Sequence, residues 1–144
     1  MKRRANLKLK TGNNRGSILV LTAVSIVALF AFAVLAIDGS MLMTTKNQLQ
    51  AAADAAALAG ASALVNGDQA EAIDRAINFA SYNTAVQDVQ RPVIITAADI
   101  TFPEPDVIRV TTHRTVGAGD PLRTFFMRIV DLGSNNLSDV TAVA

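Results

Sequence analysis

The run Ser17–Ile37, SILVLTAVSIVALFAFAVLAI, restricts this chain more than any other feature. It holds no charged residue, no proline and no glycine. As a helix rising about 1.5 Å per residue it spans roughly 30 Å, the thickness of a bilayer's hydrocarbon. Thirteen of its residues are Ile, Leu, Val or Phe. At roughly −0.3 to −0.6 kcal/mol each, they favour insertion by about −4 to −8 kcal/mol. Ser17, Thr22 and Ser25 oppose this weakly, because their hydroxyls can bond back to helix carbonyls. A core helix in so small a domain would keep a polar face, and this one is apolar all round. The run therefore reads as a transmembrane helix.

The flanks orient it. Residues 1–16 carry Lys2, Arg3, Arg4, Lys8, Lys10 and Arg15 with no acid, a charge of +6, and the remainder carries −5. Bases stay on the cytoplasmic side of an inserting helix, so 1–16 is expected as a cytoplasmic tail and everything after Ile37 outside. That account leaves the basic tail with no need of a nucleic acid partner. Val34-Leu35-Ala36 offers small residues for signal peptidase, which makes a released, secreted or periplasmic binding module the alternative. The apolar run exceeds the usual signal core of about 7–15 residues, and on that length the anchor reads as retained.

Beyond the membrane the helix is expected to continue. Met41–Val65 is rich in Ala, Leu, Met, Gln and Lys and lacks proline, with Asn66-Gly67 as its stop. Leu42, Thr45, Leu49, Ala52, Ala56, Ala59 and Ala63 share a face, and Ala52, Ala56 and Gly60 make a ladder of small residues. Such a face lets another backbone approach closely, either the chain's own domain or another helix. Asp54 stands alone in AAADAAALAGA; it is read as solvated, with an ion pair to Lys46 or Arg75 or an interface contact as alternatives. Asp68 and Glu71 have capping-box spacing and open a second helix, with Ala72, Ile73, Ala76, Ile77 and Ala80 on its inner face.

Arg91-Pro92 then ends the helical half. Val93–Thr96 and Ile100–Phe102 read as strand fragments, and Pro103–Asp106 as a turn. Val107–Val116 alternates, with Ile108, Val110, Thr112 and Val116 inward. Asp120-Pro121 is expected to start a third helix carrying Leu122, Phe125, Phe126, Ile129 and Val130, and Val140–Ala144 a last strand. The fold class is α+β: helices on one face of a small antiparallel sheet. The expected division is a tail 1–16, a transmembrane helix 17–37, an Ala-rich extension 38–65 and a small α+β domain 66–144.

No catalytic constellation emerges. The single histidine, His113, lies on the polar face of a strand, there is no cysteine, and no Gly-rich phosphate loop follows a strand. Asp99, Glu104 and Asp106 gather near a turn without the regular spacing of a calcium loop. Asn136-Leu137-Ser138 fits a glycosylation acceptor, which a bacterial source would make meaningless. The chain is read as a non-enzyme with no cofactor, no metal and no small-molecule substrate.

Three elements in combination carry a family resemblance. Arg15-Gly16 precedes the apolar run, Ile37-Asp38-Gly39 closes it, and LQAAADAAALAGA follows from Leu49. Residues 15 to about 64 resemble the N-terminal segment of TadE/TadG-like proteins of the Flp (tight adherence) pilus-assembly system. The resemblance implies an inner-membrane protein with a periplasmic domain, whose partners are other pilus-assembly or pilin subunits and which brings no catalytic residues. It marks Gly16, Asp38, Gly39, Gln50, Asp54, Ala56 and Gly60 as motif positions, while Leu42, Leu49, Ala52, Ala56 and Gly60 are the candidates for helix packing. TadE-type members are cut after a glycine with a glutamate five residues beyond. Cutting after Gly16 would put Leu21 there, so the uncleaved TadG-like type fits better, although the long additional domain of larger TadG proteins has no room in this chain. A filament-forming subunit cleaved after Gly16 is the other alternative.

Overall fold

The computed structural model describes residues 15–86, 90–115, 117, 121–124, 137–138 and 140–144. The first element is α1 (Arg15–Leu64), a helix of 50 residues. The chain divides into two compact units, one ending at Ala33 and the other running Val34–Ala144.

In the first unit, every residue from Gly16 to Ala33 is exposed. The hydroxyls of Thr22 and Ser25 donate to the carbonyls of Ile18 and Leu21, each at 2.9 Å. Their polarity is thus spent on the helix itself, as an apolar environment requires.

The second unit is built on the remainder of α1. That helix ends where Gly67 adopts a φ of 74° and its N–H donates to the Leu64 carbonyl at 2.8 Å, a left-handed stop that glycine takes without strain. Helix α2 (Gln69–Ser81) follows, capped by Asp68, whose carboxylate accepts from the Glu71 N–H at 2.9 Å. Ala72, Ala76 and Ala80 are buried on its inner face, with Ile73 and Ile77 half-buried beside them. Strand β1 (Thr84–Val86) pairs antiparallel with β2 (Gln90–Pro92). A short 3-10 turn, Ala97–Asp99, leads into β3 (Ile100–Glu104). Strand β4 (Val107–Arg114) pairs antiparallel with β3 on one edge and with β7 (Val140–Val143) on the other. Between them β5 (Leu122–Arg123) pairs with β6 (Leu137–Ser138). The fold is α+β, with a long helix, a second helix and small antiparallel sheets.

The core joins the buried face of both helices to the inner face of β4 and β7: Leu49, Ala52, Ala56, Ala76 and Ala80 meet Val110, Val140 and Ala142, with Val93, Ile95 and Ile100 closing the side. Alanine dominates the helical side, so the helices approach closely and each contact removes little area from water. Alternation along β4 is clean: Val110, Thr112 and Arg114 are buried, and Arg109 is exposed.

The structure corrects four local expectations. The helical part ends at Ser81 and not at Arg91-Pro92: Asn83 folds back, its amide donating to the Phe79 carbonyl at 2.9 Å and its N–H to Ala80 at 3.0 Å. Val93–Thr96 is no strand. Val93 and Ile95 are buried around an exposed Ile94, which explains the β-like pattern, but Asp99 turns the backbone by accepting from the Thr96 N–H and hydroxyl at 2.8 and 2.9 Å. Pro103 and Glu104 belong to β3, with a register shift that accommodates the proline on an edge strand, and the turn shrinks to Pro105-Asp106. Leu122 and Arg123, the expected start of the third helix, are in β5; the rest of that expected helix lies outside the described residues.

Candidate functional site

Two surfaces can do work here: the apolar run of α1 and the helix face that follows it. Apart from Val34, which is half-buried, the large apolar side chains from Ile18 to Ile37 stand 47–71% exposed. A core helix of a water-soluble domain would bury such a surface. Among the described residues α1 is the one helix with the length and apolarity to cross a membrane.

The motif positions fall into distinct environments. Gly16 and Gly39 are exposed, and a Cβ at either would meet nothing within 4 Å. Asp38, one residue past the apolar run, is buried to 4% exposure in the second unit. Gln50 is half-buried; its amide donates to Asp54 at 2.8 Å and to the Val143 carbonyl on β7 at 3.1 Å. Asp54 itself is exposed, and Arg75, weighed above as its ion-pair partner, is instead engaged by Glu71 and by the Ser62 hydroxyl. Leu49, Ala52 and Ala56 are fully buried and Leu42 packs half-buried against the same core. Gly60 is the tightest point: a Cβ there would lie 2.5 Å from Ile108 Cδ1 and 3.0 Å from the Ala72 carbonyl oxygen. From Leu42 to Gly60 this face is thus turned to the chain's own second unit, with β1 at Thr45, β4 at Leu49, and α2 and β4 at Gly60. The basic positions Lys2, Arg3, Arg4, Lys8 and Lys10 lie outside the described residues.

Sequence reasoning put Thr45 and Thr112 on inward faces but passed over Gln48, Arg114 and the hydrogen bonds that fasten the second unit together. The Thr112 hydroxyl donates to the Leu49 carbonyl at 2.9 Å. Gln48 accepts from the Val86 N–H at 2.9 Å, and Thr45 donates to the Val86 carbonyl at 3.4 Å. Arg114, 2% exposed, gathers the β1–β2 ribbon: its Nη2 donates to the carbonyls of Ala85 (3.3 Å), Arg91 (2.8 Å) and Pro92 (3.1 Å). The signal was present, since Arg114 continues the inward series 108, 110, 112; a guanidinium was not expected in a core. Replacing it, Arg114→Met, keeps the apolar stem and withdraws the donors. We expect a loss of about 2 kcal/mol in chemical denaturation, with Lys restoring only part because a point ammonium lacks the guanidinium's fork. An unchanged midpoint would mean that water serves these carbonyls equally well.

Little else here resembles chemistry. His113 Nδ1 lies 3.6 Å from Asp99 Oδ1, an ion pair only when the ring is protonated. Among the described residues no group of three or more His, Cys, Asp or Glu could hold a metal.

Residues 16–63, about one third of the chain and almost the whole of α1, match the Tad family of Flp pilus-assembly TadE/G-like proteins. The resemblance read from the motifs around Gly16, Asp38 and Leu49 is therefore shown over that segment, and the family points to a structural or assembly role. No curated protein and no solved structure matches the chain.

Proposed function

We propose that this chain is a single-pass inner-membrane component of a Tad-type pilus-assembly system. Residues 1–16 lie in the cytoplasm, 17–37 span the bilayer, and the extension 38–65 with the domain 66–144 stands in the periplasm. It works through contacts with other assembly or pilin subunits and performs no catalysis. The observation that carries this is a coincidence on one helix: the segment that matches the Tad family also holds the exposed apolar run. The six bases before that run and the absence of acids among them support the orientation.

The natural chain has no cysteine, so single thiols report topology cleanly. Ala51→Cys, on an exposed turn of α1, is expected to react with an impermeant maleimide once the outer membrane is opened. Asn13→Cys is expected to react only after lysis. The reverse pattern contradicts the orientation, and intact pili on cells lacking the protein contradict the assembly role.

A further inference from the structure

The junction between α1 and α2 carries a reactive pair. Asn66-Gly67 is the one place in the chain where a glycine follows an asparagine. Both residues are exposed, and nothing lies within 4 Å of where a Gly67 Cβ would stand. Without a Cβ the Gly67 nitrogen can approach the Asn66 side chain unhindered. Two hydrogen bonds hold the junction closed: the Asn66 N–H donates to the Ala63 carbonyl at 3.1 Å and the Gly67 N–H to the Leu64 carbonyl at 2.8 Å. They keep the Gly67 nitrogen turned back onto α1.

We propose that Asn66 is a site of spontaneous modification, where an amide becomes a carboxylate without an enzyme, at a rate set by the opening of this junction. First the Gly67 nitrogen loses its proton and bonds to Asn66 Cγ. The Cγ–Nδ2 bond breaks, the side-chain nitrogen leaves as ammonia, and a cyclic imide remains. One water then opens the imide. Hydrolysis at Cγ yields an aspartate. Hydrolysis at the backbone carbonyl yields an isoaspartate, with the main chain rerouted through the side chain. Water is the sole co-reactant and no electrons are exchanged with another species. The nucleophile is the nitrogen whose N–H is bonded to Leu64, so the reaction runs from the locally opened state.

Either product works against the closed junction. A carboxylate appears at the C-terminal end of α1, the negative end of the helix dipole. An isoaspartate also lengthens the main chain inside the turn that closes on Leu64. Beneath the turn Ala63, Leu64 and Ala72 are buried together, so the conversion loosens α2 on α1 whichever assembly the chain serves. Asp38-Gly39 is the internal contrast. The same cyclisation there would expel water from the carboxyl group, but Asp38 is 4% exposed and both residues lie inside α1, where the Gly39 N–H is bonded within the helix ladder.

The test incubates the full chain at mildly alkaline pH, folded in detergent micelles and denatured, and follows the tryptic peptide 47–75 by mass spectrometry with fragmentation that separates the two acids. Conversion at Asn66 to a mixture of aspartate and isoaspartate is expected in both samples, at least about tenfold slower in the folded one. Asp38-Gly39 is expected to stay unconverted while the chain is folded. The converted protein is expected to unfold at lower denaturant than the natural chain. Four results overturn the proposal: no conversion at Asn66 in the denatured chain, equal rates in the two samples, conversion of folded Asp38-Gly39 as fast as that of Asn66, or an unchanged unfolding midpoint after conversion.

Discussion

Replacing Val27 and Leu29 together by arginine is expected to move the protein from the membrane fraction to the soluble fraction. Both side chains are 69% exposed in the middle of the apolar run. Each exchange removes a favourable insertion term and adds a charge at the helix centre, about 3–4 kcal/mol per site on the insertion scale. The pair costs about 6–8 kcal/mol, as large as the whole driving force of roughly 4–8 kcal/mol assigned to the run. Snorkelling recovers least at the centre, where the stem is farthest from either interface. The readout is extraction at alkaline pH followed by fractionation. The conservative pair Val27→Leu and Leu29→Val should stay in the membrane. If the arginine pair remains inserted, the run is not held by lipid alone and another transmembrane partner shelters it.

The second large effect is expected at Gly60. A Cβ there would press on Ile108 Cδ1 at 2.5 Å and on the Ala72 carbonyl oxygen at 3.0 Å, with Ala76 Cβ at 3.4 Å. Ile108 can rotate its terminal methyl; the Ala72 carbonyl is backbone of α2 and cannot yield without shifting that helix. Gly60→Leu is therefore expected to drive α2 off α1 and to destabilise the second unit by about 3 kcal/mol or more, the upper range for overpacking. Leucine's better helix propensity returns only about 1 kcal/mol. Against a total stability of roughly 5–15 kcal/mol for an ordinary domain, that is a large share. Gly39→Leu is the matched control: a helical glycine with nothing within 4 Å of a Cβ, where the same exchange should be neutral or stabilising by up to about 1 kcal/mol. Denaturant midpoints of the two variants in micelles check both. Equal midpoints would mean that α1 and α2 are not in close contact at Gly60.

The contrast between these glycines shows what the chain's letters reveal. The apolar run, the helix stop at Gly67, the Asp68 cap and the alternation of β4 are local patterns, each with its own period or capping residue, and all are present in the structure. Gly60 stands in a ladder of small residues and Gly39 does not, which marks Gly60 for packing; only the path of α2 and β4 shows how crowded it is. The same holds for Arg114. Its charge argues for a surface position, and the three carbonyls that hold it come from a ribbon not legible in the sequence, because Thr84–Val86 and Gln90–Pro92 are too short to show a period. Leu122 misled for a related reason. Asp120-Pro121 before an i, i+3, i+4 series is a strong helix start, yet Leu122 pairs with Ser138 sixteen residues on, a long-range contact that outweighs local propensity. At the motif positions, the small size of Ala56 and Gly60 was legible and the identity of what they pack against was not.

The measurement that bears most directly on the central claim is the N-terminal sequence, with intact mass, of the mature protein recovered from cell membranes. A chain starting at or next to Met1 is the predicted result: an uncleaved component permanently anchored by α1. A start at Ser17 contradicts it and makes the chain a processed, pilin-like subunit free to leave the bilayer for a filament. A start at Ile37 contradicts it differently, turning the apolar run into a signal peptide and the second unit into a released module.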